Sequence, residues 1–292
     1  SNNKEAYSFL IIENTVNTLK RNILLIPGLA WIFIFLILPC ILIISLSFFE
    51  RGIYGGIDYN FNFENYSRVV EFTYLKILLN SSKIAFLSGF FAVLFGYPAA
   101  YFIYKAPAKY QIALLFLVIL PFWSNYLIRT YAWMVLLNNQ GLINTILINL
   151  NIIKEPLNIL YTEFSVIIGL IYNYLPFVIL SIYSSISKLD QNLIEASKDL
   201  GGSSIKTFFL VTLPLTLPGV AAGFIFVFVL SIGNFITPDL LGGGKFLMIG
   251  NLIYDQFLSA RDWPFGASLS FVLIFIMLFL LFLQAIFVRK IS

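Results

Sequence analysis

The sequence predicts an all-α protein: a polytopic membrane helix bundle of about six transmembrane helices, with a further helix in a cytoplasmic loop. Two observations carry this expectation. Of 292 residues, 60% are hydrophobic and only 11% charged, and the mean hydropathy is +0.91. A soluble domain carries about 25% charged residues, so too little polar surface remains here to face water. The apolar residues also fall in blocks close to the ~20 residues that cross ~30 Å of hydrocarbon.

Six runs stand out in order: Ile23 to Phe48, Ile84 to Tyr104, Ile112 to Tyr131, Phe164 to Ser185, Gly219 to Ile236, and Ala267 to Val288. The first follows Lys20-Arg21 and is too long for a signal-peptide core, so it reads as a span. The division that follows is a cytoplasmic segment 1–22, a first transmembrane helix 23–48 and an extracytoplasmic loop 49–83. A core domain 84–288 comes next, containing a loop 187–216, and a cytoplasmic tail 289–292 ends the chain. Pro27, Pro39, Pro98, Pro121 and Pro176 lie in or near the ends of the runs and suggest kinked helices around a cavity. Lys and Arg are about twice as dense in the segments that share a side with the termini as in the others. Positive charge collects on the cytoplasmic side, so both termini are expected there.

Composition also excludes chemistry. The sequence has no histidine, which closes histidine-based catalysis, haem ligation and the common zinc sites to this chain alone. Cys40 is the single cysteine, within an apolar run and without a metal-ligand partner in sequence. No phosphate-binding G-x4-G-K-[ST] loop is present. Gly242-Gly243-Gly244-Lys245 lacks its spacing and is followed by Phe246.

The loop after the fourth run is the most informative stretch. Asp190 stands at a helix N-cap position and Gly201 just past the C-terminus, while Leu189, Leu193, Ala196 and Leu200 form one apolar stripe. A second short helix is expected from Ser203 or Ser204 and is expected to stop at Pro214. Most helix connections run 2–8 residues; one of about 30 with caps and a stripe is built to dock something.

Glu195-Ala196-Ser197, then Gly201, then Val211-x-Leu213-Pro214 resembles the E-A-A-x3-G-x9-I-x-L-P signature of ABC importer permeases, with Ser for the second alanine and Val for the isoleucine. The segment Pro121-Phe122-Trp123-Ser124-Asn125-Tyr126-Leu127-Ile128-Arg129-Thr130-Tyr131 is similar to the B-type permease of spermidine/putrescine importers. So are Leu240-Leu241-Gly242-Gly243-Gly244, Ile249-Gly250-Asn251 and Arg261-Asp262-Trp263-Pro264-Phe265-Gly266-Ala267. The resemblance implies a channel-forming subunit without its own ATPase site, in the inner membrane of a bacterium. Its implied partners are a homologous second permease, two ATPase subunits that use ATP and Mg, an extracytoplasmic solute-binding protein and a polyamine. It binds no cofactor itself and no nucleic acid. In that family the loop is a coupling helix, and the resemblance assigns coupling to Asp190, Glu195, Ala196, Ser197, Gly201 and Pro214.

Polyamines join ammonium groups by methylene stems, so a path for them wants carboxylates and aromatic faces. Trp123, Asn125, Tyr126, Tyr172, Asn173 and Tyr174 are candidates, the aromatic ones having interface belts as the alternative. Asn173 is costly against lipid and is expected to face the bundle interior. Asp239, beside the glycine run, is the charge candidate or else a turn residue; Glu163 reads as an N-terminal helix charge. Arg129 has two readings. It snorkels from the outer interface or pairs with a loop acid, on a straight-helix distance of ~27 Å from Gln111, or it is a gate. Import of another small solute and a stand-alone secondary transporter or channel are the competing functions. No inverted repeat or mid-span acid supports the latter.

Overall fold

The computed structural model describes residues 25–291. Its elements are α1 (Leu25–Leu46), a hairpin of β1 (Phe49–Arg51) and β2 (Ile57–Phe61), α2 (Glu64–Val69), α3 (Phe72–Lys105) and α4 (Ala108–Trp123). Then come α5 (Tyr126–Leu137), α6 (Leu142–Asn149), α7 (Glu163–Ile186), α8 (Gln191–Asp199), α9 (Ser204–Ile232), α10 (Ile236–Gly242), α11 (Ile249–Leu258) and α12 (Trp263–Ile291). Five helices are long and apolar enough to cross a membrane, and the number is six if α4 and the bent Tyr126–Asn149 piece count as one span. Segment 1–22 lies outside the described residues.

Helices α3, α7 and α9 pack against one another and form the centre. Within the apolar window of α7, 56% of residues are buried, against 11% in α12 and none in α1, so α7 is the axis and α1 the periphery. Association in lipid cannot rely on the hydrophobic effect and uses small residues and interhelical hydrogen bonds instead. Both are present. A Cβ at Gly219 would lie 2.8 Å from the Ser181 carbonyl oxygen, and one at Gly96 would lie 2.9 Å from Val178. The Ser181 hydroxyl donates to the Gly219 carbonyl at 2.9 Å, and Tyr97 and Thr216 share a buried hydroxyl pair at 2.9 Å.

Several boundaries differ from expectation. Helix α3 begins at Phe72, inside the expected loop 49–83, because Lys76, Asn80 and Lys83 lower the hydropathy without breaking the helix. At 34 residues it is about 51 Å long and projects beyond ~30 Å of hydrocarbon. The same loop holds the β-hairpin, with Arg51 opposite Ile57. The hairpin is tied to the far end of the chain by the Arg51 guanidinium donating to the Ala260 carbonyl at 2.6 Å. The fifth span ends at Ile232 rather than Ile236, which opens α10. Helix α12 continues through the expected tail to Ile291.

Pro98, Pro176 and Pro218 sit inside continuous helices. The third apolar run breaks sharply. A 3-10 turn at Leu120–Trp123 carries Pro121 in its first positions, Ser124 is extended, and the two helical pieces meet at 89°. Asn125 then starts α5, its Oδ1 accepting from the Leu127 N–H at 2.8 Å.

Asp262 anchors the start of α12. Its carboxylate accepts from the Phe265 N–H at 3.2 Å and pairs with Arg68 at 3.0 Å, and the Arg68 guanidinium lies over the Phe265 ring at 3.9 Å. Gly219→Val would force α7 and α9 apart, and overpacking of this kind costs about 1–3 kcal/mol. The expected outcome is a thermal midpoint lowered by several degrees for the detergent-solubilised protein, followed by loss of the monodisperse fraction on heating.

Candidate functional site

At one end of the bundle α8 and the start of α9 form an elbow. Asp190 caps α8, its carboxylate accepting from the Asn192 N–H at 3.0 Å, and Gly201 turns the chain at a φ of +82° that a side chain rarely adopts. Ser203 caps the next helix by accepting from the Lys206 N–H at 3.3 Å. The expected stop at Pro214 does not occur. Ser204–Thr207 passes through a π-helical turn, Phe208–Thr212, into Leu213–Ile232 without interruption. Pro214 directly follows the π turn, whose wider winding leaves room for the proline ring inside a continuous helix.

One bond ties α8 to α9 and a second closes the elbow between them. The Ser197 and Thr207 hydroxyls pair at 3.0 Å, and the Gly202 N–H donates to the Ser197 carbonyl at 3.0 Å. A Cβ at Gly202 would meet that carbonyl at 2.6 Å, so Gly202 is required by close approach where Gly201 is required by the turn. Only Ile194 of α8 is buried; Leu193 and Leu200 are exposed, and Leu189 packs on the bundle instead of sharing their stripe. Leu193, Ala196, Leu200, Leu210 and Pro214 border an open groove of about 610 Å³, while Glu195 is exposed beside it.

A polar seam crosses the other end of α9. The Asn234 amide donates to the Tyr126 hydroxyl at 2.6 Å and to the Tyr174 hydroxyl at 2.7 Å. Its Oδ1 accepts from the Thr237 N–H at 2.9 Å, and the Tyr126 and Thr237 hydroxyls pair at 2.6 Å. Asn234 thereby joins α5, α7 and α10. Arg129, one turn on from Tyr126, is buried, with its guanidinium 5.1 Å from the Phe122 ring and 5.7 Å from that of Tyr126. It makes no ion pair among the described residues, and its Nε has no hydrogen-bond partner. The 89° break invalidates the straight-helix distance that set Arg129 at an interface, and the buried guanidinium does not snorkel.

The remaining candidates disperse. Asn173 is fully buried with both amide atoms unpartnered, and Tyr172 stands edge-on to Trp133 at 5.4 Å. Trp123 is exposed and stands edge-on to Phe116 at 5.5 Å, and Asn125 is an exposed cap, so neither joins Tyr174. Glu163 lies in the first turn of α7, paired with Lys83 at 2.7 Å, while Thr162 is the cap. Asp239 lies exposed in the wall of a separate cavity of about 360 Å³, lined also by Leu127, Tyr131, Phe235, Asn251, Tyr254 and Asp255. Reading the sequence overlooked Asn234, Thr237, Asn251 and Asp255. Asn234 carried a signal, a polar side chain at the very end of an apolar run.

A family model described as the inner membrane component of binding-protein-dependent transport systems matches residues 23–292. The chain is 42% identical over 262 residues to the spermidine/putrescine transport system permease protein PotB of Salmonella typhimurium (strain SL1344), covering 89% of this chain and 91% of that one. It is 42% identical over 253 residues to the protein of the same name from Haemophilus influenzae, covering 87% and 88%. Among solved structures, a chain of a bacterial alginate ABC transporter in complex with an alginate pentasaccharide-bound periplasmic protein superposes with a TM-score of 0.77 at 17% identity. That match covers 96% of this chain and 97% of the other and is a likeness of fold.

Asn234→Ala would leave the Tyr126 and Tyr174 hydroxyls without their shared donor. A buried group deprived of its partner costs about 1–3 kcal/mol. Thermal unfolding of the solubilised protein is expected to show a drop at least as large for Asn234→Ala as for Tyr126→Phe, which takes one hydroxyl and leaves the Asn234–Tyr174 bond.

Proposed function

The chain belongs to the family of inner membrane components of binding-protein-dependent transport systems, and from that premise we propose that it is the permease subunit of an ATP-driven polyamine importer, with spermidine and putrescine as substrates. The identity to the PotB proteins along nearly the whole chain supports the substrate class. ATP hydrolysis, with its Mg, belongs to two partner ATPase subunits. A second, homologous permease completes the channel, and an extracytoplasmic binding protein delivers the solute. Both termini and the elbow lie on the cytoplasmic side, where Lys188, Lys198 and Lys206 add to the positive charge.

The observation that carries the mechanism is the continuity of α9. Its 29 residues run about 43 Å from the elbow to the seam at Asn234. An ATPase seated on the exposed groove of Leu193, Ala196 and Leu200 pushes on α8, and the Ser197–Thr207 bond passes that push to α9. Packed helices move as rigid bodies rather than deform continuously. A tilt at the elbow therefore reaches the Asn234 seam and changes how α5, α7 and α10 meet there. Asp190, Gly201 and Pro214 set the elbow's shape, Ala196 keeps the contact close, and Glu195 supplies the charge presented to the partner.

Glu195→Lys reverses an exposed charge on the docking face without touching the bundle. The expected result is normal membrane insertion with uptake of labelled spermidine reduced to background. Normal uptake by that variant would remove the elbow from the coupling route.

A further inference from the structure

Arg129 stands at the level of the seam, and charges at the helix ends give the depth of that level. Along α3, Lys83 and Lys105 are separated by about 33 Å, close to the ~30 Å of a hydrocarbon core. Lys83 pairs with Glu163 at 2.7 Å, so Glu163 marks the same edge on α7. Tyr174 lies about 16 Å farther along that helix, roughly halfway to the other edge. Asn234 bonds the Tyr174 and Tyr126 hydroxyls at 2.7 and 2.6 Å, which puts Tyr126 inside the hydrocarbon too. The Arg129 guanidinium, 5.7 Å from the Tyr126 ring, is therefore a charge within the membrane.

No group of this chain balances that charge. Among the described residues the guanidinium donates no hydrogen bond and joins no ion pair, although Arg129 is only 7% exposed. Its Nε is enclosed, whereas the two terminal nitrogens keep a trace of accessible surface and so open outward from the bundle. The crossing helices contain no Asp or Glu besides Glu163, which Lys83 already holds. The ring faces of Phe122 and Tyr126 attract the charge but do not accept its N–H groups as a carboxylate does. Trp123 on α4 and Leu127, Ile128 and Tyr131 on α5 are exposed, so this chain leaves the corner at the 89° break uncovered. Acyl chains suit those side chains but carry no acceptor for a guanidinium. Lipid phosphates lie at the membrane edge, water supplies no countercharge, and the cation proposed as substrate repels Arg129. What remains is an acid from a neighbouring protein, since charges inside a membrane are paired with one another.

We propose that a carboxylate of the second permease subunit enters the corner between α4 and α5 and pairs with Arg129 inside the membrane. The inference rests on the reading of a homologous second permease and adds a contact to it. A guanidinium engages both oxygens of a carboxylate at once, so the pair fixes orientation as well as charge. Tyr126 and Arg129 share α5, and the second subunit thereby grips the helix that the Asn234 seam also holds. A subunit lacking that acid is disfavoured there, because it leaves the charge buried and unpaired.

The test uses the whole complex, expressed with its own partners, and a lipid-soluble reagent, dicyclohexylcarbodiimide. Arg129→Lys keeps the charge and supplies an amine. The carbodiimide activates a carboxylate, and a neighbouring amine displaces the urea to form an amide. The expected result is a covalent product of this chain and the second permease, in which mass spectrometry finds position 129 joined to an Asp or Glu of that subunit. Arg129→Met, which has no amine, is expected to give no such product. A second measurement needs no variant. Cryo-electron microscopy of the unaltered complex is expected to show a carboxylate oxygen of the second subunit within about 4 Å of the Arg129 guanidinium. An assembled Arg129→Lys complex without the cross-link, or water, a free anion or a lipid phosphate against Arg129 in the unaltered complex, would overturn the pairing. A purified complex without a second, homologous permease would instead overturn the reading on which it rests.

Discussion

The close approach of α7 and α9 is the contact on which both ends of the molecule depend. In a bilayer, backbone groups are satisfied within helices and no hydrophobic force draws one helix to another. Gly219 and Gly223 let α9 lie against Ser181, Ser185 and Val178, and the Ser181 hydroxyl closes the contact on the Gly219 carbonyl. Once that line is set, the direction of α9 places the elbow at one end and Asn234 at the other.

The two ends are built differently. At the elbow, caps and glycines shape the chain, and the apolar side chains that remain are exposed. At the seam, hydroxyls and one amide satisfy each other in a short network, which a small displacement of α10 would break. Networks of this kind favour discrete arrangements, because a partly satisfied one is worse than either complete alternative. Arg129 and Asn173 lie in the same region with unpartnered buried atoms, so its polar groups are not all satisfied in this arrangement. A region with spare donors and acceptors is suited to exchange partners as helices shift.

Much was legible beforehand because it is local. Asp190 and Gly201 mark the ends of a helix through bonds and backbone angles within a few residues, and the elbow of α8 follows the expected pattern. The burial of Asn173 follows from the cost of an amide against lipid. Other expectations failed where hydropathy stood in for geometry. Lys76 and Lys83 made part of α3 look like a loop, although charge alone does not end a helix. Pro214 looked like a stop, although a π turn absorbs it. The straight-helix distance from Gln111 placed Arg129 at an interface although Pro121 suggested a kink, and the 89° break there leaves Arg129 buried in the protein.

The sequence by itself determined the class, the approximate number of crossings, the absence of a G-x4-G-K-[ST] loop and the caps and glycine of the elbow. Each of these depends on composition, run length or contacts between near neighbours. Only the tertiary structure decided which polar residues meet. Tyr126, Tyr174 and Asn234 are 48 to 108 positions apart, and Asp239 shares a cavity with Asp255 through two separate short helices. Such pairings depend on how whole helices are rotated and offset, and a rotation is settled by the packing of small residues along the full length of the bundle, which no short stretch of sequence contains.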